Sequence, residues 1–202
     1  MKSNMKSLLV AVSMLFAVGF TACDESSTTD IKGPSIDFTF NYTDILRSTD
    51  ASSWQLIASS DTIEAIDIAA FLSKDTATAK YMNVVKAASF KNGELIVTGG
   101  NYNFNGVDSV KIVYKLVGSS QEVEFVAGAP IGQNNDTIFF KKITIIKAAA
   151  LEMLQTRKVC SIYAIYNSQV VNCFQPGAVY NFKADTYLTV PLADAAGMLG
   201  NL

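Results

Sequence analysis

An all-β fold, an antiparallel immunoglobulin-like β-sandwich with one or two short crossover helices, follows from three features of the 202-residue sequence. Apolar side chains recur at every second position in several short runs. Turn signals rich in Gly, Asn and Ser separate those runs. Only two stretches break the period in favour of helix formers. Successive strand side chains point to opposite sheet faces, so the alternation marks strands with one buried and one solvated face. Half of the residues are hydrophobic and 17% are charged, which excludes a disordered or coiled-coil chain. A chain of this length buries roughly 70% of its unfolded surface and needs neither a metal nor a disulfide to hold a core.

Taken in order, Ile36, Phe38, Phe40 and Tyr42 alternate with Asp37, Thr39, Asn41 and Thr43. Asp61-Thr62-Ile63-Glu64 has the spacing of a helix cap, because an acidic side chain there accepts early backbone N–H groups. Ile66 and Ile68 keep period two, which confines the expected helix to residues 69–74. Alternation returns at Val110-Ile112-Tyr114-Leu116 and Val123-Phe125-Ala127, less cleanly at Phe139-Lys141-Ile143-Ile145, and again within residues 159–166 and 179–190. Lys147–Gln155 (KAAALEMLQ) is built of helix formers, with Ala148, Leu151 and Leu154 or Gln155 on related faces. Turns are expected at Lys91-Asn92-Gly93, at Gly99-Gly100-Asn101, at Gly118-Ser119-Ser120 and over residues 132–136. Roughly seven to nine strands with polar turns and one wet face describe an antiparallel sandwich. No repeat at a fixed period interrupts it, so residues 35–202 read as one domain.

The first thirty residues concern location. Lys2 and Lys6 precede an uncharged apolar run at residues 8–20 (LLVAVSMLFAVGF), followed by small residues up to Cys23. Thirteen helical residues span about 20 Å, short of a hydrocarbon core of about 30 Å, so a signal peptide fits better than a membrane span. Phe20-Thr21-Ala22-Cys23 resembles a bacterial lipobox, with Phe20 where leucine is usual and Thr21 where a smaller residue is usual. Asp24-Glu25 directly after it resembles the acidic export signal of Bacteroidetes-type surface lipoproteins. The resemblance implies that residues 1–22 are removed and that Cys23 is lipidated, anchoring an exported protein to the outer membrane. Surface exposure is the expectation, with a periplasm-facing anchor as the alternative. Acyl chains contribute about 0.8 kcal/mol per buried methylene, so several give a durable anchor. Residues 23–34 then read as the lipidated cysteine and a flexible tether, polar and broken by Gly33-Pro34. Losing Lys2 and Lys6 leaves 14 basic and 18 acidic side chains, a net charge of −4. That balance offers no attraction to nucleic acid.

The chain has no histidine, which removes the usual general base and the commonest metal ligand. There is no Gly-x-Ser-x-Gly elbow and no Cys-x-x-Cys pair, so no catalytic residue, metal site or cofactor is assigned. Glu122 and Glu124 share a strand face and read as solvated carboxylates rather than a glycosidase pair. Gln133, Asn134, Asn135 and Asp136 read as hairpin-loop chemistry before calcium ligands. Cys160 and Cys173 are a disulfide candidate in an exported protein. A tight turn at Tyr166-Asn167 would place them directly opposite, with Cβ atoms about 4.5–5.5 Å apart; two free buried thiols are the alternative. Binding candidates are Trp54, the single tryptophan, and the Gly-flanked run Asn101-Tyr102-Asn103-Phe104-Asn105-Gly106, where rings alternate with amides. Rings stack on ligands and amides both donate and accept. The competing reading of Tyr102 and Phe104 is packing. These features together lead to the expectation of a lipid-anchored surface module for binding, adhesion or structure, without catalysis, meeting a glycan or a protein. An accessory carbohydrate-binding or carboxylate-dependent glycan-active protein is the alternative.

Overall fold

The period-two segments become strands of one sheet. The computed structural model describes residues 28–43, 53–128, 131–134, 136–140, 143–166 and 174–192, with the backbone alone for residues 128 and 131–134. The chain divides into two units, Asp30–Val190 and a second made of Met1–Thr29 with Pro191–Leu202. Of the second unit, the described residues are Thr28, Thr29, Pro191 and Leu192.

The strands are β1 (Thr28–Lys32), β2 (Ile36–Tyr42), β3 (Gln55–Ser59), β4 (Ala87–Thr98), β5 (Val107–Leu116), β6 (Val123–Gly128), β7 (Ile131–Asn134), β8 (Thr137–Phe140), β9 (Lys158–Tyr166) and β10 (Val179–Pro191). Three helices interrupt them: α1 (Ile68–Leu72), α2 (Thr76–Ala79) and α3 (Lys147–Gln155). The sheet order is β6-β5-β9-β3-β2-β10-β4-β8-β7, with β1 also paired to β10. The all-β, antiparallel reading therefore holds, but hydrogen bonds join the strands into one sheet rather than two.

That sheet doubles over. The β2–β3 ladder is short, with Asn41 opposite Ser59 and Tyr42 opposite Ala58. Across the interior, the Phe125 ring of β6 meets Phe38 of β2 at 6.4 Å, Phe90 of β4 at 5.0 Å and Phe182 of β10 at 5.3 Å. The far ends approach as well. Ile143 bridges Val126, and Thr144 and Ile145 each donate a backbone N–H to the Phe125 carbonyl at 3.2 Å. The sheet is thus nearly closed and barrel-like, with the apolar faces of both halves turned inward. In β2 the pattern is as read: Ile36, Phe38 and Phe40 are buried while Asp37, Thr39 and Asn41 are exposed.

Several elements depart from the expectation. Residues 28–32, read as tether, form β1, where Ile31 packs on the core and the Asp30 carboxylate accepts the Thr189 hydroxyl at 2.8 Å. Lys91-Asn92-Gly93 does not reverse the chain but lies inside β4. Asn92 takes φ 54°, the register jumps between Lys183 and Asp185, and the Asn92 amide donates to Asp185 at 2.8 Å. An extra residue in a ladder needs the same left-handed backbone as a turn, which is why the two look alike in sequence. In β8 the phase is inverted: Ile138 and Phe140 are buried and Phe139 is exposed.

α1 is capped by Asp67 rather than Asp61, its carboxylate accepting from the Ala70 N–H at 2.9 Å. α3 spans the expected residues, but its buried stripe is Ala150, Met153 and Leu154. At Gly99, φ is 100° and any Cβ would collide with the Gly177 carbonyl oxygen, so the turn after β4 requires glycine.

One buried group is unsatisfied. The Thr186 hydroxyl in β10 is fully buried with no hydrogen-bond partner among the described residues. Thr186→Val keeps the shape and the β-branch while removing that hydroxyl, so it is expected to stabilise the fold by about 1 kcal/mol. Urea unfolding checks this: a lowered midpoint would mean that the hydroxyl has a partner.

Candidate functional site

Trp54 is the sequence-selected ring that reaches solvent; it is 40% exposed. It immediately precedes β3, on whose outer face Leu56 lies opposite Tyr163 of β9. Tyr163 in turn lies opposite Lys111 of β5. The register therefore lines up Leu56, Tyr163 and Lys111 across three neighbouring strands, all part-exposed. The Lys111 ammonium sits 4.7 Å from the Trp54 ring centroid and 5.4 Å from that of Tyr163. Such exposed cation–π contacts contribute about 0.5–1 kcal/mol and order the lysine stem over the rings.

The Tyr163 hydroxyl donates to Glu122, at 3.1 Å to Oε1 and 3.3 Å to Oε2. Burial pushes the Tyr163 pKa up, and the Glu122 charge and hydrogen bond push it further the same way. The phenol thus stays a neutral donor that holds the carboxylate in place. The result is a small surface with ring faces, an ammonium and an anchored carboxylate.

The other aromatic candidate is packed. Phe104 is 1% exposed and its ring lies 6.4 Å from Tyr180, beside the Tyr166–Phe174 pair at 4.7 Å. Tyr102 is half-buried against the core and donates to the Pro176 carbonyl at 3.3 Å. Asn103 accepts the Asn105 N–H at 3.0 Å, closing a turn on itself. Tyr102, Asn103, Phe104 and Asn105 therefore build a packed turn rather than a stacking platform.

The cysteine geometry is also different. Both edges of β9 are occupied, by β5 and by β3, and residues 167–173 lie outside the described residues. Cys160 lies opposite Tyr114, its N–H donates to the Ser60 hydroxyl at 3.0 Å, and its thiol is free and buried. Cys173, the expected partner, and Cys23, the lipidation candidate, lie outside the described residues. Burial pushes the Cys160 thiol up to about 12, against the opposing pull of the Lys158 charge. A thiol held protonated is no nucleophile. Lys158 itself is fully buried; its ammonium donates to the carbonyls of Thr156 at 3.1 Å and Glu64 at 3.5 Å. Burial lowers its pKa, while the Cys160 and Glu64 charges act to raise it.

Two shallow depressions lie elsewhere among the described residues. One of about 390 Å³ is lined by Asp37, Asn92, Glu94, Lys183 and Asp185, whose groups largely satisfy each other: Lys183 pairs with Asp37 at 3.8 Å, and Asn92 with Asp185. The other, about 430 Å³, lies among Ile66, Ile68, Met82, Val85 and Gln155. Glu122 and Glu124 do not converge; Glu124 instead accepts the Thr144 hydroxyl at 3.1 Å. Among the described residues, no group of three or more Cys, Asp or Glu side chains could hold a metal ion, and no helix is long and apolar enough to cross a membrane.

No family model matches the chain, and no curated protein matches it. Among solved structures, a chain of desmodium yellow mottle tymovirus is similar at 15% identity and a TM-score of 0.25, covering 79% of this chain and 89% of that one. A mud crab tombus-like virus chain is similar at 10% identity and a TM-score of 0.23, covering 90% and 98%. A chain from the Kashmir bee virus empty particle at acidic pH is similar at 7% identity and a TM-score of 0.25, covering 81% and 92%. Likenesses at these TM-scores assign neither a family nor a function.

Lys111 and Tyr163 escape a reading of the sequence alone, and Glu122 is read there only as a solvated carboxylate. They lie far apart along the chain; the register brings Lys111 and Tyr163 together beside Trp54, and the Tyr163 hydroxyl adds Glu122.

Proposed function

We propose that the chain is a lipid-anchored cell-surface module that recognises a partner without turning it over. The observation that carries the reading is the exposed Trp54 ring under Lys111, which also lies over Tyr163, whose hydroxyl holds Glu122. The lipobox-like end at Cys23 supports the anchoring, and the lack of histidine supports recognition over chemistry. The finer reading of the body as an immunoglobulin-like sandwich draws support from the face-to-face packing through Phe125, even though a ladder joins the two halves.

Two measurements on cells making the protein test this reading. Metabolic labelling with a fatty acid is expected to mark the wild-type chain and not Cys23→Ala. Attachment to protein-coated and polysaccharide-coated surfaces is expected to fall on at least one coating when the chain is deleted. Equal labelling of Cys23→Ala, or attachment indifferent to the chain on every coating, would overturn the proposal.

A further inference from the structure

We infer that Trp54, Lys111, Tyr163 and Glu122 form a subsite for one pyranose unit of a neutral polysaccharide, an assignment that rests on the binding-module reading. A pyranose presents an apolar C–H face and a rim of hydroxyls that donate and accept. Trp54 offers an exposed ring of matching shape, the stacking partner that such a face requires. The Lys111 ammonium has no oxygen acceptor among the described residues and rests only on the two rings. Its three N–H donors are therefore available to the hydroxyl oxygens of a ligand that meets the indole. On the other side, both Glu122 oxygens share a single phenol hydroxyl, which leaves acceptor capacity for sugar O–H groups. The phenol keeps that carboxylate from swinging away, so donor and acceptor are held on one surface before a ligand arrives.

Charge selects among ligands. The surface carries one ammonium, Lys111, and one carboxylate, Glu122, with Glu124 exposed on the strand next to β5. A uronate or a phosphate would meet two carboxylates for one ammonium, whereas a neutral sugar meets a donor and an acceptor with no penalty.

Electrophoresis of the detergent-solubilised full-length protein through gels containing a neutral β-glucan, a neutral mannan or polygalacturonate tests the assignment. At least one neutral polymer is expected to retard the wild type. Trp54→Ala is expected to weaken that retardation about tenfold or more. Lys111→Met and Glu122→Gln are expected to weaken it as well, and Lys111→Arg to retain part of it. All four variants, of three side chains, should unfold at nearly the wild-type midpoint if their effect is on the ligand. Retardation by polygalacturonate alone, or equal retardation of Trp54→Ala, overturns the subsite. Cells that attach through the labelled protein to protein coatings, while no neutral gel retards it, also overturn the subsite and leave the anchored-module reading standing.

Discussion

Phe104→Ala is expected to lower the stability of the chain by about 3–5 kcal/mol, the range for removing a buried aromatic ring from a packed core. Phe104 is 1% exposed, and its neighbours are Tyr180 and, beyond it, Phe174 and Tyr166. A cavity there would be lined by large, mutually wedged rings that have little freedom to collapse into it. Tyr102→Ala is expected to cost less, about 1–2 kcal/mol, because it loses one hydrogen bond to Pro176 and part-exposed packing. Trp54→Ala is expected to cost the least, since its ring is open to solvent and rests against a lysine. Equilibrium urea unfolding ranks the three variants. A Phe104→Ala midpoint equal to wild type would place that ring at the surface and return the 102–106 segment to the list of binding candidates.

Alkaline pH is expected to destabilise the protein through Cys160. In the unfolded chain a thiol ionises near pH 8.5 to 9, whereas burial holds the folded Cys160 thiol neutral up to about 12. The sign follows from proton counting. Below about pH 9 the thiol is protonated in both states, and its contribution is fully present. Between about 9 and 12 only the unfolded state releases the proton, so stability is lost as pH rises. A gap of that width amounts to roughly 4 kcal/mol once both pKa values are passed.

Tyr114, whose pKa is raised by burial and by the Glu152 and Cys160 charges, acts in the same direction at higher pH. Lys158 acts oppositely. Its lowered pKa lets the folded state shed a proton before the unfolded state does, which favours folding as pH rises. Cys160→Ala should be less stable at pH 7, from the lost side chain, and yet show a shallower decline from pH 9 upward. Midpoints measured under reducing conditions keep every other thiol common to both proteins. Parallel declines would show that the Cys160 thiol ionises freely in the folded state.

These expectations mark where sequence and tertiary structure divide the work. Alternation alone located β2, β5, β6, β9 and β10, because a strand with one buried face must place apolar side chains at every second position. α3 was equally legible, since residues 147–155 lack β-branched side chains, glycine and proline. Local pattern gave the wrong phase in β8, where two adjacent rings fit either face and Phe140, not Phe139, is the buried one. It was misleading at Asn92, because a bulge and a turn draw on the same left-handed backbone.

The candidate site shows the same division. Trp54 could be picked out as a lone large ring and Glu122 as one of two neighbouring carboxylates, but Lys111 and Tyr163 carry no mark of their own. Cys160 and Cys173 looked like cross-strand partners only on the premise that residues on either side of Tyr166-Asn167 pair with each other. The structure gives both edges of β9 to other strands. The sequence by itself determined that this chain makes short antiparallel strands with one wet face. Only the tertiary structure decided which strands become neighbours, because strand pairing is a long-range choice made by interior packing and loop closure rather than by the residues of any one strand.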